Sequence, residues 1–192
     1  MYNYKTVFYT LGTLQIILGL FMLIPVIIQL IYGELDSGFV SASIITIIFG
    51  VLFFLSNLDH DKNIDLTQAF VLTALSWLSI AIFGSLPFIF SELNLNFTDA
   101  FFESMSGITT TGSTIITDLD NAPKAILLWR AILQWLGGIG IILMAITLMP
   151  IMNIGGMQLF KISSNDNAEK ILPKSKEVSL RLIVIYLLLT FI

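Results

Sequence analysis

The chain has 192 residues, 56% of them hydrophobic and 11% charged, with a formal net charge of −4, a single histidine and no cysteine. A mean hydropathy of +0.92 excludes an ordinary water-soluble domain, because the apolar residues come in long runs that no small core could bury. The acidic balance, with no basic stripe, excludes nucleic acid as a partner, and the absence of cysteine leaves the redox compartment unread.

A hydrocarbon core of about 30 Å takes roughly 20 mostly apolar residues of helix to cross. Four runs meet that length: 7–32, 39–58, 69–90 and 125–150. The first is too long for the apolar core of a signal peptide and lacks a small-x-small cleavage site, so it is read as a retained helix. The loop 59–65 holds His60 between Asp59 and Asp61, a solvated polar turn rather than a metal site. Gly84 and Pro87, near the end of the third run, read as a packing site and a kink. Gly137, Gly138 and Gly140 on the fourth read as close helix packing, with loosening of that helix as the lesser alternative. The final run, 178–192, is short of a span and is expected to be the truncated first helix of a further unit, so that the chain is an amino-terminal fragment of a longer protein. The fold class is therefore all-α integral membrane. Residues 1–65 form two leading transmembrane helices, 66–152 one helix, pore loop and helix repeat, 153–177 a cytoplasmic loop, and 178–192 the start of a second repeat.

Lysine and arginine set the orientation, since acidic residues contribute little to it. With alternating spans, Lys5, Lys62, Lys161, Lys170, Lys174, Lys176 and Arg181 share one side, which is read as cytoplasmic together with the amino terminus.

Between the third and fourth spans lies a segment that is too apolar for a simple outer loop. Asn96 and the residues after it suit a helix cap, and Phe97, Phe101, Phe102 and Met105 make a helical stripe. The expected element is a re-entrant half-helix over 97–108. It leads into Ser106-Gly107-Ile108-Thr109-Thr110-Thr111-Gly112-Ser113-Thr114, a run of hydroxyl residues and glycine. Irregular backbone at membrane depth is tolerated only where protein buries it or where it lines a water-filled path. A cation filter meets that condition, because its carbonyl oxygens replace the ion's hydration shell. Gly112 supplies the positive φ that turns successive carbonyls to one side. A plain polar loop is the competing reading of the same residues. Glu103 on the half-helix and Arg130 on the following span are expensive at that depth unless paired, and an ion pair holding the loop to its helix is expected, with separate snorkelling as the alternative.

The segments "FTDAFFESMSGITTTGST", "WRAILQWLGGIGIILMAITLMP", "IGGMQLFK" and "GSLPF" together resemble the Trk/Ktr/HKT superfamily of potassium transporters, most closely its bacterial Trk-type potassium uptake membrane subunits. The resemblance implies a single chain of four helix, pore loop and helix repeats around one pore, with two extra helices in front. It places the filter on Thr109, Thr110, Thr111, Gly112 and Ser113, with the carbonyls of Thr110 and Thr111 as the leading potassium ligands. A single glycine in the loop, followed by Ser113, implies looser discrimination against sodium than a two-glycine filter gives. It further implies a bacterial cytoplasmic membrane, a cytoplasmic nucleotide-binding regulatory subunit, a homodimer of the full-length chain, and no covalent cofactor, with potassium as the transported ligand.

The leading function is potassium uptake without a chemical step. A non-conducting structural membrane subunit is the alternative. A membrane-embedded enzyme is weaker, because no nucleophile and base, and no acidic or histidine pair on a spanning helix, is present to carry chemistry.

Overall fold

The computed structural model describes residues 4–33, 36–60, 66–152 and 171–190; at 66, 146–152 and 171–177 the description is of the backbone alone. Among these residues the structure is helical: α1 (Lys5–Phe21), α2 (Leu23–Tyr32), α3 (Gly38–Ser56), α4 (Leu66–Gly84), α5 (Leu86–Phe90), α6 (Phe97–Ile108), α7 (Lys124–Met152) and α8 (Ile171–Thr190), with a short 3-10 turn at Leu119–Asn121. Four stretches are long and apolar enough to cross a membrane: Lys5–Tyr32, Gly38–Ser56, Thr67–Phe90 and Lys124–Ala145. Their outward faces carry side chains such as Leu30, Ile31, Leu52 and Leu55, while Gln15, Thr46, Ser104 and Glu103 are fully buried. That inversion of the soluble pattern suits a lipid surround, and the protein is an all-α, multi-pass membrane protein.

Two breaks within spans have a common cause. Proline lacks the N–H that would bond four residues back, and its ring crowds that carbonyl. Pro25 stands four residues after Phe21, where α1 ends before Met22, and Pro87 stands four residues after Phe83, with the helix interrupted at Ser85 between Gly84 and Leu86. The first span ends at Gly33, whose φ of 73° is the left-handed cap that glycine adopts without a Cβ penalty.

Small residues let the helix pairs approach closely. A Cβ at Gly12 of α1 would stand 2.5 Å from the backbone nitrogen of Phe54 in α3, and one at Gly50 would stand 2.8 Å from that of Ile16. Ser43 Oγ donates to the carbonyl of Gly19 at 2.7 Å across the same interface, and Gln15 Nε2 donates to Ser79 Oγ of α4 at 2.5 Å. The leading hairpin is thus held together by one polar contact and fastened to α4 by another, in an apolar setting.

The chain divides into two compact units, Met1–Gly137 and Gly138–Ile192. In the first, Phe39, Phe88, Ala100, Ile126, Trp129 and Leu133 form the buried centre from α3, α5, α6 and α7. Trp129 Nε1 donates to the carbonyl of Gly84 at 3.0 Å, tying α7 to the break between α4 and α5. In the second, the phenol oxygen of Tyr186 lies where a Cβ at Gly138 would be only 2.7 Å away. Helix α8 begins at Ile171, ahead of the expected 178, because Pro173 falls in the first turn, where a missing N–H has no helical partner to lose. Residues 153–170 of the expected cytoplasmic loop lie outside the described residues.

Candidate pore-loop site

Helix α6 starts with its cap built into the sequence. Asn96 Oδ1 accepts from the Asp99 N–H at 2.9 Å, and Asn96 Nδ2 donates back to Asp99 Oδ2 at 2.7 Å. Asp99 also places a negative charge in the first turn, where the helix dipole favours it. The helix ends at Ile108, whose carbonyl oxygen presses on α7 so closely that a Cβ at Gly137 would sit 1.8 Å from it. One turn earlier, a Cβ at Gly107 would stand 3.0 Å from that of Leu133. A Cβ at Gly84 would stand 2.6 Å from Ser104 Oγ. Three glycines, on α4, α6 and α7, therefore set how deeply α6 seats. At Gly140 a Cβ would meet nothing within 4 Å among the described residues.

The chain then leaves the helix as an exposed irregular strand through 109–115. Its backbone donors turn back onto α6. Thr109 N bonds Met105 O at 2.9 Å, Thr110 N bonds Gly107 O at 2.9 Å, and Thr111 N and Gly112 N share Ser106 O at 3.0 and 3.3 Å. The carbonyls of Thr109, Thr110, Thr111 and Gly112 receive no donor from any described residue. That of Ser113 does: Ser106 Oγ donates to it at 2.7 Å. Ser113 is thus the one residue of the expected set 109–113 whose carbonyl accepts from a described residue. Ser106 is buried and its hydroxyl needs an acceptor, which the Ser113 carbonyl supplies with one of its two lone pairs.

Two residues of the strand are left-handed, Gly112 at φ 77° and Thr110 at φ 60°. Regular L-residue strands alternate their carbonyls. Left-handed residues on either side of Thr111 undo that alternation. The glycine was legible in the sequence; the threonine was not, because a β-branched residue at positive φ is disfavoured. The price is met by the bonds that fix it: Thr110 N to Gly107 O, and the hydroxyls of Thr109 and Thr111, which bond each other across Thr110 at 2.9 Å.

The exit of the strand is held by Glu103. Its Oε1 accepts from Thr114 Oγ1 and from the Ile115 N–H, each at 2.6 Å. Its Oε2 lies 3.1 Å from Arg130 Nε, with Glu103 wholly buried and the Arg130 side chain 14% exposed. The two atoms are out of line for a hydrogen bond, so the contact is ionic. Thr114 and Ile115 were missed from the sequence, since nothing in their own identity says which carboxylate they meet.

Among the described residues no three acidic, histidine or cysteine side chains converge as a metal site. His60 stacks on Tyr9 with ring centroids 3.9 Å apart, and its Nδ1 lies 3.2 and 3.1 Å from the carbonyls of Asn57 and Leu58. It closes the end of α3.

Such a protein is a multi-pass membrane protein with a short capped helix seated between two spanning helices and an exposed, carbonyl-bearing segment leaving its end. The family described as TrkH, cation transport protein, matches residues 36–192, and the chain belongs to that family. It is 38% identical to the Trk system potassium uptake protein TrkH of Escherichia coli over 194 aligned positions, covering 98% of this chain and 40% of that protein. It is also 38% identical to the Trk system potassium uptake protein TrkI of Halomonas elongata, over 92% of this chain and 36% of that one. The crystal structure of the potassium transporter TrkH from Vibrio parahaemolyticus superposes with a TM-score of 0.83 at 34% identity, covering 99% of this chain and 38% of that one. The chain thus spans about 40% of the length of the curated relatives it matches.

Proposed function

We propose that this chain supplies one wall of a potassium-selective path across a bacterial cytoplasmic membrane, with its amino terminus inside. The observation that carries the reading is the strand Thr109–Gly112: four carbonyls without a donor among the described residues, on backbone whose handedness reverses at Thr110 and again at Gly112. Potassium is the ion because its dehydration can be matched by rings of carbonyl dipoles, and because the relatives reported above are named as potassium uptake proteins. The carbonyls of Thr110 and Thr111 are the leading ligands. Ser113 supports the wall through Ser106.

One strand supplies oxygens on one side only, whereas replacing a hydration shell needs them all round. The reading therefore includes further loops of the same kind, in the four-repeat arrangement that the resemblance implies, with α1 to α3 as the leading helices. The carboxyl end of α6 points its partial negative charge toward the ion. A cytoplasmic nucleotide-binding partner and a homodimer of the full-length chain follow from the resemblance alone. Transport proceeds without a chemical step, so the protein is not an enzyme.

The test is potassium flux into liposomes holding the purified protein, measured with a potassium gradient and again with sodium. Potassium-dependent flux that exceeds sodium flux supports the reading. Protein that inserts fully and yet passes neither ion, alone or with its cytoplasmic partner, assigns it a structural role instead.

A further inference from the structure

We infer that the Thr109 hydroxyl is a positioning group for the filter, the centre of a one-way relay that holds Thr110 left-handed; this rests on the filter reading above. The Thr109 hydroxyl meets two oxygens, the Met105 carbonyl at 2.7 Å and the Thr111 hydroxyl at 2.9 Å. A hydroxyl has one proton to donate, and a carbonyl can only accept. The Thr109 proton is therefore committed to Met105, and the bond between the two threonines runs from Thr111 to Thr109. The relay passes from Thr111 Oγ1 to Thr109 Oγ1 to Met105 O, and so ends on the last turn of α6.

Between the two threonines stands Thr110, at φ 60°, where a β-branched residue is disfavoured. Thr111 returns to α6 twice, by its N–H to Ser106 O at 3.0 Å and by its hydroxyl to Thr109. Rotating Thr110 to negative φ redirects the next peptide and carries Thr111 away from Thr109, so the relay and the left-handed turn exist together. That turn also aims the carbonyls of Thr110 and Thr111, the leading ligands. The relay is unequal at its two ends. Removing the Thr109 hydroxyl loses both bonds, whereas removing that of Thr111 loses one and leaves Thr109 on Met105. Valine keeps the β-branched shape of threonine without the hydroxyl, so the two positions can be compared at nearly constant bulk.

The experiment reads the ratio of potassium to sodium uptake, together with the amount of folded protein in the membrane, for Thr109→Val, Thr111→Val, the double variant, Thr109→Ser and Gly112→Val in the full-length protein. Thr111→Val is expected to lower the potassium preference roughly threefold and Thr109→Val roughly tenfold, about the effects of one and of two modest hydrogen bonds. The double variant should be no worse than Thr109→Val, because the relay is already gone, and Thr109→Ser should recover most of the loss by restoring the hydroxyl. A wild-type ratio in Thr111→Val overturns the inference, since Thr109 would then act only as a cap on α6. Additive losses in the double variant overturn it too, because the two hydroxyls would act separately. Should Thr109→Val fail to accumulate, Thr111→Val alone decides: a threefold loss at normal protein levels upholds the relay, and a wild-type ratio overturns it. If Gly112→Val abolishes the preference while the threonine variants keep it, the filter reading stands and this inference falls. If Gly112→Val keeps the wild-type ratio, the filter reading falls and this inference with it.

Discussion

Glu103 and Arg130 meet at 3.1 Å between Oε2 and Nε, the carboxylate fully buried on α6 and the guanidinium almost so on α7. The same carboxylate holds Thr114 and Ile115 through its other oxygen, so the pair joins three pieces of chain: short helix, strand and spanning helix.

Breaking that pair from one side leaves an uncompensated charge in a low-dielectric setting. Glu103→Gln or Arg130→Met alone should each destabilise by about 3 to 5 kcal/mol, and the double variant should lose clearly less than the sum. Thermal unfolding in detergent checks this through a double-mutant cycle. Strict additivity would show that the two side chains do not interact.

Gly112 should tolerate substitution in an order set by handedness rather than space, because a Cβ there meets only Gln134 Nε2 at an ordinary contact distance of 3.6 Å. Gly112→Asn should be mildest, Gly112→Ala intermediate and Gly112→Val worst, with the left-handed conformation costing about 1 to 2 kcal/mol for a residue with a Cβ. Potassium uptake at low external potassium orders the three. A milder defect for Gly112→Ala than for Gly112→Asn would point to crowding instead.

Thr110 pays the same conformational cost in the native chain, at φ 60°. Thr110→Gly should therefore raise stability by up to about 1 kcal/mol, offset in part by the glycine's greater freedom when unfolded. Lower stability in that variant would mean that the threonine side chain contributes more than its backbone costs.

On α7, two glycines three residues apart should behave oppositely. Gly137→Ala drives a methyl into the Ile108 carbonyl and should cost at least about 1 to 3 kcal/mol, with loss of transport as α6 is displaced. Gly140→Ala should be neutral or gain up to about 1 kcal/mol from helix propensity. Folded yield and unfolding temperature of the two variants decide it, and a tolerated Gly137→Ala would contradict the close seating of α6.

Ser106→Ala should remove the bond that turns the Ser113 carbonyl inward, costing about 1 kcal/mol. Freed of it, that carbonyl can rotate, and the ratio of potassium to sodium uptake should fall while total uptake persists. An unchanged ratio would separate Ser113 from ion discrimination.

The sequence by itself determined the solvent and the spans. Runs of apolar residues about 20 long admit few structures in which every backbone group is satisfied, so helices crossing a membrane could be read without any contact being known. Local chemistry also set the ends and breaks: Asn96 with Asp99 starts α6, Gly33 ends α2, and Pro25 and Pro87 interrupt the helix at Met22 and Ser85, three and two residues upstream. The placing of a Thr/Gly run after a short helix was legible for the same reason, since such residues neither pack a core nor face lipid. What only the tertiary structure decided concerns partners distant along the chain. Why Gly137 admits no side chain depends on how α6 lies against α7, and so does the meeting of Glu103 with Arg130, 27 residues further along the chain. No period or propensity encodes that seating. It is settled by a few close contacts, and those in turn hold a disfavoured backbone conformation in the strand beside them.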